Sequence, residues 1–291
     1  MLSSTTRFLR RALAALVLLA ATPAAAEPAL WAIKDADSTI YIFGTVHALK
    51  PDVAWRSEKV TKALAESKEL VIEVVGADDP AVMQPLIVKY GLDPSAPLSR
   101  KISAQDKARL TKALAEMGAP PEAVEPMRPW LAAITVALQP ILKAGYDPTK
   151  GAEAILTAEA KAAGKVVGSL ETPEQQLRFF ADLPTTVEVA LLKSTLDDVD
   201  EGPALLDQMV ASWTAGDQKG LEEAFVGDMR REYPELYAAL IAGRNAVWAR
   251  QLKQKLAGSG VSFVAVGAGH LVGPESVQAE LAKLGVKAER R

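Results

Sequence analysis

The chain of 291 residues holds only two histidines, and each stands three positions after a glycine that ends an apolar run. His47 follows Gly44 in "TIYIFGTVH", and His270 follows Gly267 in "VSFVAVGAGH". Imidazole is the commonest metal ligand in proteins and the side chain that titrates nearest neutrality, so a matched pair points to metal binding or proton transfer. Two carboxylates stand in similar places, Glu73 in "ELVIEVV" and Glu171 in "KVVGSLE". The run around Glu73 is apolar on both alternating faces, as in strands covered on both sides. A carboxylate there needs a metal, an arginine or donated backbone N–H groups. Glu171 also has a bland reading, since Thr172-Pro173-Glu174 after it reads as the N-cap and first turn of a helix. Arg244, in "LIAGRNAVWARQL", falls on an apolar stripe with Leu240, Val247 and Trp248. It either snorkels and pairs structurally or aims a guanidinium into a site, where it holds a catalytic glutamate or a substrate carboxylate. Asp147, in "KAGYDPTKGAE", reads as a turn residue or N-cap.

The elements that must position these groups follow from hydrophobic patterning. Four apolar runs, at 39–44, 69–75, 165–171 and 261–267, have strand character and are separated by alanine- and leucine-rich stretches with helical spacing. Strand, loop, helix, strand predicts an α/β fold, a mainly parallel central sheet flanked by helices. "LWAIKDADSTIYIFG" adds an N-terminal hairpin with "DADS" as its turn. Ser57 suits an N-cap, and Pro274 suits a first helical position ahead of Val277, Leu281 and Leu284. The stretches 80–163 and 184–257 contain no strand pattern and predict a large helical cap or layer. In open parallel sheets ligands sit at the carboxyl ends of the strands. His47, Glu73, Glu171 and His270 would therefore share one edge as ligands or acid/base groups. Gly44 and Gly267 would serve as cofactor-approach positions, leaving the strand with positive φ or letting a ligand come close.

Residues 1–26 read as a secretory signal peptide, with Arg7, Arg10 and Arg11, an apolar run of about ten residues and Ala24-Ala25-Ala26 as a cleavage site. Residues 27–291 are then expected to form a single exported domain, periplasmic or secreted, without a membrane span. Loss of the three arginines would take the formal net charge from −3 to −6. An acidic chain with no basic face makes nucleic acid an unsuitable partner. The absence of cysteine excludes disulfides and thiolate metal sites. Oligomeric state is not legible in the sequence.

Several segments together resemble the TraB/PrgY/GumN family, relatives of the Tiki metalloproteases and more distantly of the EreA/ChaN-like fold. They are "IYIFGTVH", "LVIEVV", "GYDPTKGAEAILTAEAKAAGKVVGSLETPEQQL", "YPELYAALIAGRNAVWA" and "FVAVGAGHLVGPESVQAELAKLG", in the family's order. The resemblance implies an α/β fold with both histidines and at least one glutamate in a site, and in the Tiki branch a divalent-metal-dependent peptidase. It places His47, His270 and Glu73 as metal ligands and Arg244 at the family's arginine, and extends to Glu171. Two imidazoles and a carboxylate leave an open position on Zn²⁺, Mn²⁺ or Co²⁺ for water, whose pKa falls towards neutrality. A second glutamate would take the water's proton and Arg244 would stabilise an oxyanion. The expected function is hydrolysis of a peptide or other small-molecule amide or ester in the cell envelope. The alternative is a periplasmic metal- or haem-binding protein of the ChaN-like type, without turnover.

Overall fold

The computed structural model describes residues 27–291, so the expected signal peptide lies outside the described residues. Strands β1 (Leu30–Lys34) and β2 (Ser38–Thr45) form the expected antiparallel hairpin, Leu30 opposite Phe43. Its turn is closed by Asp35, whose carboxylate accepts from the backbone N–H groups of Asp37 and Ser38. Strands β3 (Glu69–Val74), β4 (Val166–Glu171), β5 (Gly260–Gly267) and β6 (Glu289–Arg290) complete a sheet in the order β4-β3-β5-β2-β1-β6. The four strands β4, β3, β5 and β2 run parallel, and β1 and β6 are antiparallel additions at one side. The mainly parallel α/β architecture is the one the patterning predicts.

Alternation along the central strands divides the core into two layers. Leu70, Ile72, Phe263 and Ala265 pack with Phe43, Trp55 and Trp213, under the helices Glu58–Glu66 and Ala152–Ala162. Val71, Val264 and Val266 pack on the other face against Trp248, Leu252 and Leu281, from the helices Gly243–Leu256 and Val277–Lys283. Each leucine or isoleucine fully buried here contributes about 1.5–3 kcal/mol by leaving water. The topology explains why both faces reach one edge. The chain steps from β2 to β3 to β4 with helices on the first face, then reverses. It returns along the second face through Gly243–Leu256 and inserts β5 between β3 and β2. The carboxyl ends of β2, β5, β3 and β4 are thereby adjacent.

Residues 80–163 and 184–257 add no strand to this sheet, and their helices form the expected layer. Leu110 and Leu114, Val136, and Leu192 and Leu196 make a third core between the helices Ala104–Glu116, Pro129–Lys143 and Thr185–Asp198. Ser57 caps its helix as expected, and Thr172 forms a full capping box with Gln175. Two local expectations fail. Pro274 is not at a first helical position: it lies in a turn begun by Gly273 at φ 82°, and the helix starts at Val277 under a Ser276 cap. Val247 is 41% exposed, whereas Arg244, Trp248 and Leu252 are buried. The five-residue π-helical segment Ala238–Ala242 precedes the helix, so the buried stripe is read from Arg244 onward rather than from Leu240. No helix among the described residues is long and apolar enough to cross a membrane.

Candidate active site

The two Gly-x-x-His loops are anchored differently. At the end of β2 the Gly44 carbonyl accepts a hydrogen bond from Trp213 Nε1 at 2.8 Å, and the Val46 carbonyl accepts from the Ala152 N–H at 3.0 Å. Gly151 is pressed so closely on this loop that a Cβ there would lie 2.1 Å from the His47 carbonyl oxygen. His47 stays exposed. At the end of β5 a 3₁₀ turn, Ala268–Leu271, carries His270 back beneath the sheet edge, where it is buried.

Neither Gly44 nor Gly267 has positive φ, which corrects one of the two reasons expected for them. Space is the reason instead. A Cβ on Gly267 would stand 3.1 Å from Glu73 Oε1, 3.4 Å from His47 Nε2 and 3.6 Å from His270 Cδ2, so these three side chains converge over one bare α-carbon. A Cβ on Gly44 would meet the Ala268 backbone at 3.0 Å, so Gly44 is packed under the second turn rather than turned towards a ligand.

Glu73 faces the helix Gly243–Leu256 because it alternates in phase with Val71, and there it meets Arg244. Arg244 Nη2 donates to Glu73 Oε2 at 2.6 Å. Its Nε and Nη2 donate to Glu171 Oε1 and Oε2, each at 2.9 Å, a bidentate pair. Nη1 donates to the Leu240 carbonyl at 3.2 Å and lies 3.2 Å from His270 Nε2. All five guanidinium N–H groups are thus engaged. The Trp248 indole N–H adds a third donor to Glu171 at 2.9 Å, and the Gly267 N–H reaches Glu73 Oε1 at 2.6 Å. Arg244 holds two carboxylates from adjacent strands and has no donor left for a substrate oxyanion unless one of these bonds is surrendered.

Asn245 fixes the His270 tautomer. Its amide nitrogen donates to the carbonyls of His270 and Glu275, so its oxygen faces the ring and lies 2.6 Å from Nδ1. Nδ1 therefore carries the proton and Nε2 presents a lone pair. Trp248 packs on the imidazole with ring centroids 4.4 Å apart. Burial pulls the His270 pKa down to about 3, with Arg244 and His47 adding to the effect against the pull of Glu73, so the ring is neutral at physiological pH. Burial alone would raise Glu73, yet neighbouring His270, Arg244, His47 and the Gly267 N–H together hold it down to about 2. With His270 neutral, Arg244 is the largest remaining contributor to that effect. Glu171 is raised by burial, partly offset by Arg244.

One carboxylate escaped the sequence reading. Glu153, in "TKGAEAIL", stands on the helix Ala152–Ala162 two residues after the glycine pressed on the His47 loop. With His47, Ile72, Val74 and Val167 it lines a cleft of about 380 Å³ on the first face of the sheet. Its Oε2 is buried and has no hydrogen-bond partner within the protein. Burial, followed by the negative charge of Glu73, pushes its pKa up to about 8. The available signal was the Gly-Ala-Glu segment beside a turn, but glycine before a helix is too common to single out a glutamate. On the opposite face Glu171 and Arg244 border a second cavity, of about 430 Å³, walled by Leu170, Phe179 and Leu183. Asp147 is structural: it caps the 3₁₀ turn Pro148–Lys150 by accepting from the Thr149 N–H.

The fit of a divalent ion can be judged from the donors. Two imidazoles and a carboxylate converging over Gly267, with a further unpaired carboxylate oxygen on Glu153, are the right kinds of ligand. The Asn245 bond to Nδ1 is the outer-shell contact that orients a ligating histidine. The spacing is nevertheless that of a cluster closed by Arg244, and among the described residues no three His, Asp or Glu side chains already stand in a ligating group. The donor set fits in kind, provided Arg244 Nη1 gives up its hydrogen bond to His270 Nε2, whose single lone pair the ion would take.

The fold and site define an α/β protein with a buried His-Glu-Arg cluster at the carboxyl edge of its parallel strands. The model of the TraB/PrgY/gumN family matches residues 29–290, and the chain belongs to that family. It is also similar to an uncharacterized protein of Treponema pallidum (strain Nichols), 23% identical over 270 residues, covering 86% of this chain and 79% of the relative. No solved structure is a significant match.

Proposed function

We propose that the chain is a peptidase-like hydrolase of the cell envelope, acting on a peptide or other amide or ester bond, with a divalent ion held by His47, His270 and Glu73. When bound, the ion supplies Lewis-acid polarisation and a water of lowered pKa. The chain's own residues do the rest. Asn245 keeps the His270 Nε2 lone pair free of a proton, and Arg244 is a positioning residue that fixes Glu73 and Glu171. Glu153, its pKa pushed up to about 8, is largely protonated at neutral pH by itself; with the charge of a bound ion favouring its ionised form, it would accept the water's proton on Oε2 and pass it to the leaving group.

The observation that carries this reading is Glu153. Arg244 consumes both carboxylates first suspected of acid/base work, while Glu153 remains buried, unpaired and on the cleft wall beside His47. The second reading, metal or haem binding without turnover, gains from the bidentate Glu171–Arg244 pair, which removes Glu171 as a base.

The test is metal content by inductively coupled plasma mass spectrometry on wild type, His47→Ala and His270→Ala, after reloading with Zn²⁺, Mn²⁺ or Co²⁺. Each loaded protein is then assayed on a peptide library and an ester panel beside Glu153→Gln. About one ion per chain, lost in both histidine variants, and turnover reduced at least about 100-fold in Glu153→Gln are expected. Bound metal with no turnover on any substrate supports the binding protein instead. Turnover unchanged in Glu153→Gln overturns the assignment of that residue.

A further inference from the structure

The helix Ala152–Ala162 sends more than Glu153 into the cleft. Thr157 and Lys161 follow at four-residue intervals, and both line the same cavity. Thr157 behaves unlike the other threonines that lie beyond the first turn of a helix. The hydroxyls of Thr61, Thr111, Thr135, Thr195 and Thr214 each bond the carbonyl four residues back, the usual resting place for such a group. The Thr157 hydroxyl does not; it is buried and has no partner within the protein. Two successive turns of this cavity-lining helix therefore carry buried oxygens without partners, Glu153 Oε2 and Thr157 Oγ1. Buried hydroxyl and carboxyl oxygens are ordinarily hydrogen-bonded, so both atoms call for a partner from outside the protein.

Lys161 stands at the outer end of this row, exposed and without an ion pair among the described residues. Asp78, in the loop after β3, lines the same cleft without an ion pair to that lysine. The facing wall is apolar, made by Ile72 and Val74 of β3 and Val167 of β4.

We infer that the cleft is a subsite for a short peptide-like chain ending in a carboxylate, with Thr157 bonding its backbone and Lys161 its terminal charge. Lys161 lies eight residue steps along the helix from Glu153, a rise of roughly 12 Å. An extended peptide covers about 3.3–3.6 Å per residue, so the span fits three residues. Their aliphatic side chains would rest on Ile72, Val74 and Val167. The polarity of the chain, with its reacting bond at the Glu153 end, rests on the hydrolase reading above; the binding of a carboxylate-ended chain does not.

The probes are N-acetyl-trialanine as free acid and as C-terminal amide, titrated calorimetrically into the full mature chain, with products followed by mass spectrometry. The free acid is expected to bind about tenfold more tightly than the amide, the size of a charge-assisted hydrogen bond. Lys161→Gln abolishes that preference and Lys161→Arg retains it. Thr157→Val weakens both forms by a similar factor of about three to ten. Equal affinity for acid and amide, a preference that survives in Lys161→Gln, or no binding of either probe overturns the subsite. Preference without cleavage of any peptide supports the subsite and counts against the hydrolase. Cleavage of other substrates without the preference does the reverse.

Discussion

Glu153→Gln provides the sharpest link between this geometry and a measurable free energy. The carboxyl is mostly buried, its second oxygen is unpaired, and Glu73 lies close enough to repel its ionised form. Its pKa rises from 4.5 to about 8 on folding. A raised folded-state pKa gives stability that is fully present below the unfolded value and lost as pH rises towards the folded one. Wild type should therefore lose about 1.4 kcal/mol per pH unit between 4.5 and 8 from this group, a ceiling of ~3 kcal/mol at pH 7. Structural relaxation and water entry will reduce the observed value. Glutamine keeps the shape and cannot ionise, so the variant is expected to match wild type near pH 4.5 and exceed it by about 1–3 kcal/mol at pH 7. Urea denaturation of chelator-treated protein at pH 4.5, 6, 7 and 8 measures the difference directly. A stability difference that stays flat across that range refutes the burial argument, whatever the variant does to turnover.

Two further outcomes test the cluster. Arg244→Met should cost about 3–5 kcal/mol in the same assay, because it leaves two buried carboxylates uncompensated, while Arg244→Lys should keep the charge but lose the bidentate pair and recover only part of that. An Arg244→Met protein as stable as wild type would mean that the carboxylates take up protons or water at no net cost. The two glycines of "GAGH" should separate function from stability. Gly267→Ala puts a methyl group among Glu73, His47 and His270 and should disturb ion binding with a stability change of about 1 kcal/mol or less, whereas Gly269→Ala drives a Cβ to 2.3 Å from the Phe225 ring and should cost about 1–3 kcal/mol. Titration of Zn²⁺ and thermal melts on both variants distinguish these effects; equal behaviour would refute the division.

The parallel strands were legible because their apolar runs are short, bounded and rich in β-branched residues. The edge location of His47, Glu73, Glu171 and His270 followed from where those runs end. The partner of Glu73 was legible as a class, and of the three alternatives its burial allowed, an arginine and a backbone N–H are present. Glu153 was hidden because its significance comes from the Gly151 contact with a loop about 100 residues earlier, which no local pattern encodes. The saturation of Arg244 was equally out of reach, since a helical stripe does not reveal how many donors are consumed. Positive φ was the wrong one of the two reasons given for the glycines: Gly44 is crowded by Ala268 and Leu271 of the turn after β5, and Gly267 by Glu73 and the two histidines.

Arg244 also acts on the assembly of the sheet. It reads carboxylates on β3 and β4 and a histidine that follows β5, so four of its five bonds close together only when these neighbouring strands are in register. A slip of one residue in β3 would turn Glu73 to the opposite layer, leaving its charge among apolar side chains and Arg244 short of a partner. The apolar residues of β3 are poor guardians of register, because Leu70, Val71 and Ile72 are nearly interchangeable between two apolar layers. The charged cluster supplies the missing proofreading, making the same residues that form the site the ones that reject a misaligned sheet.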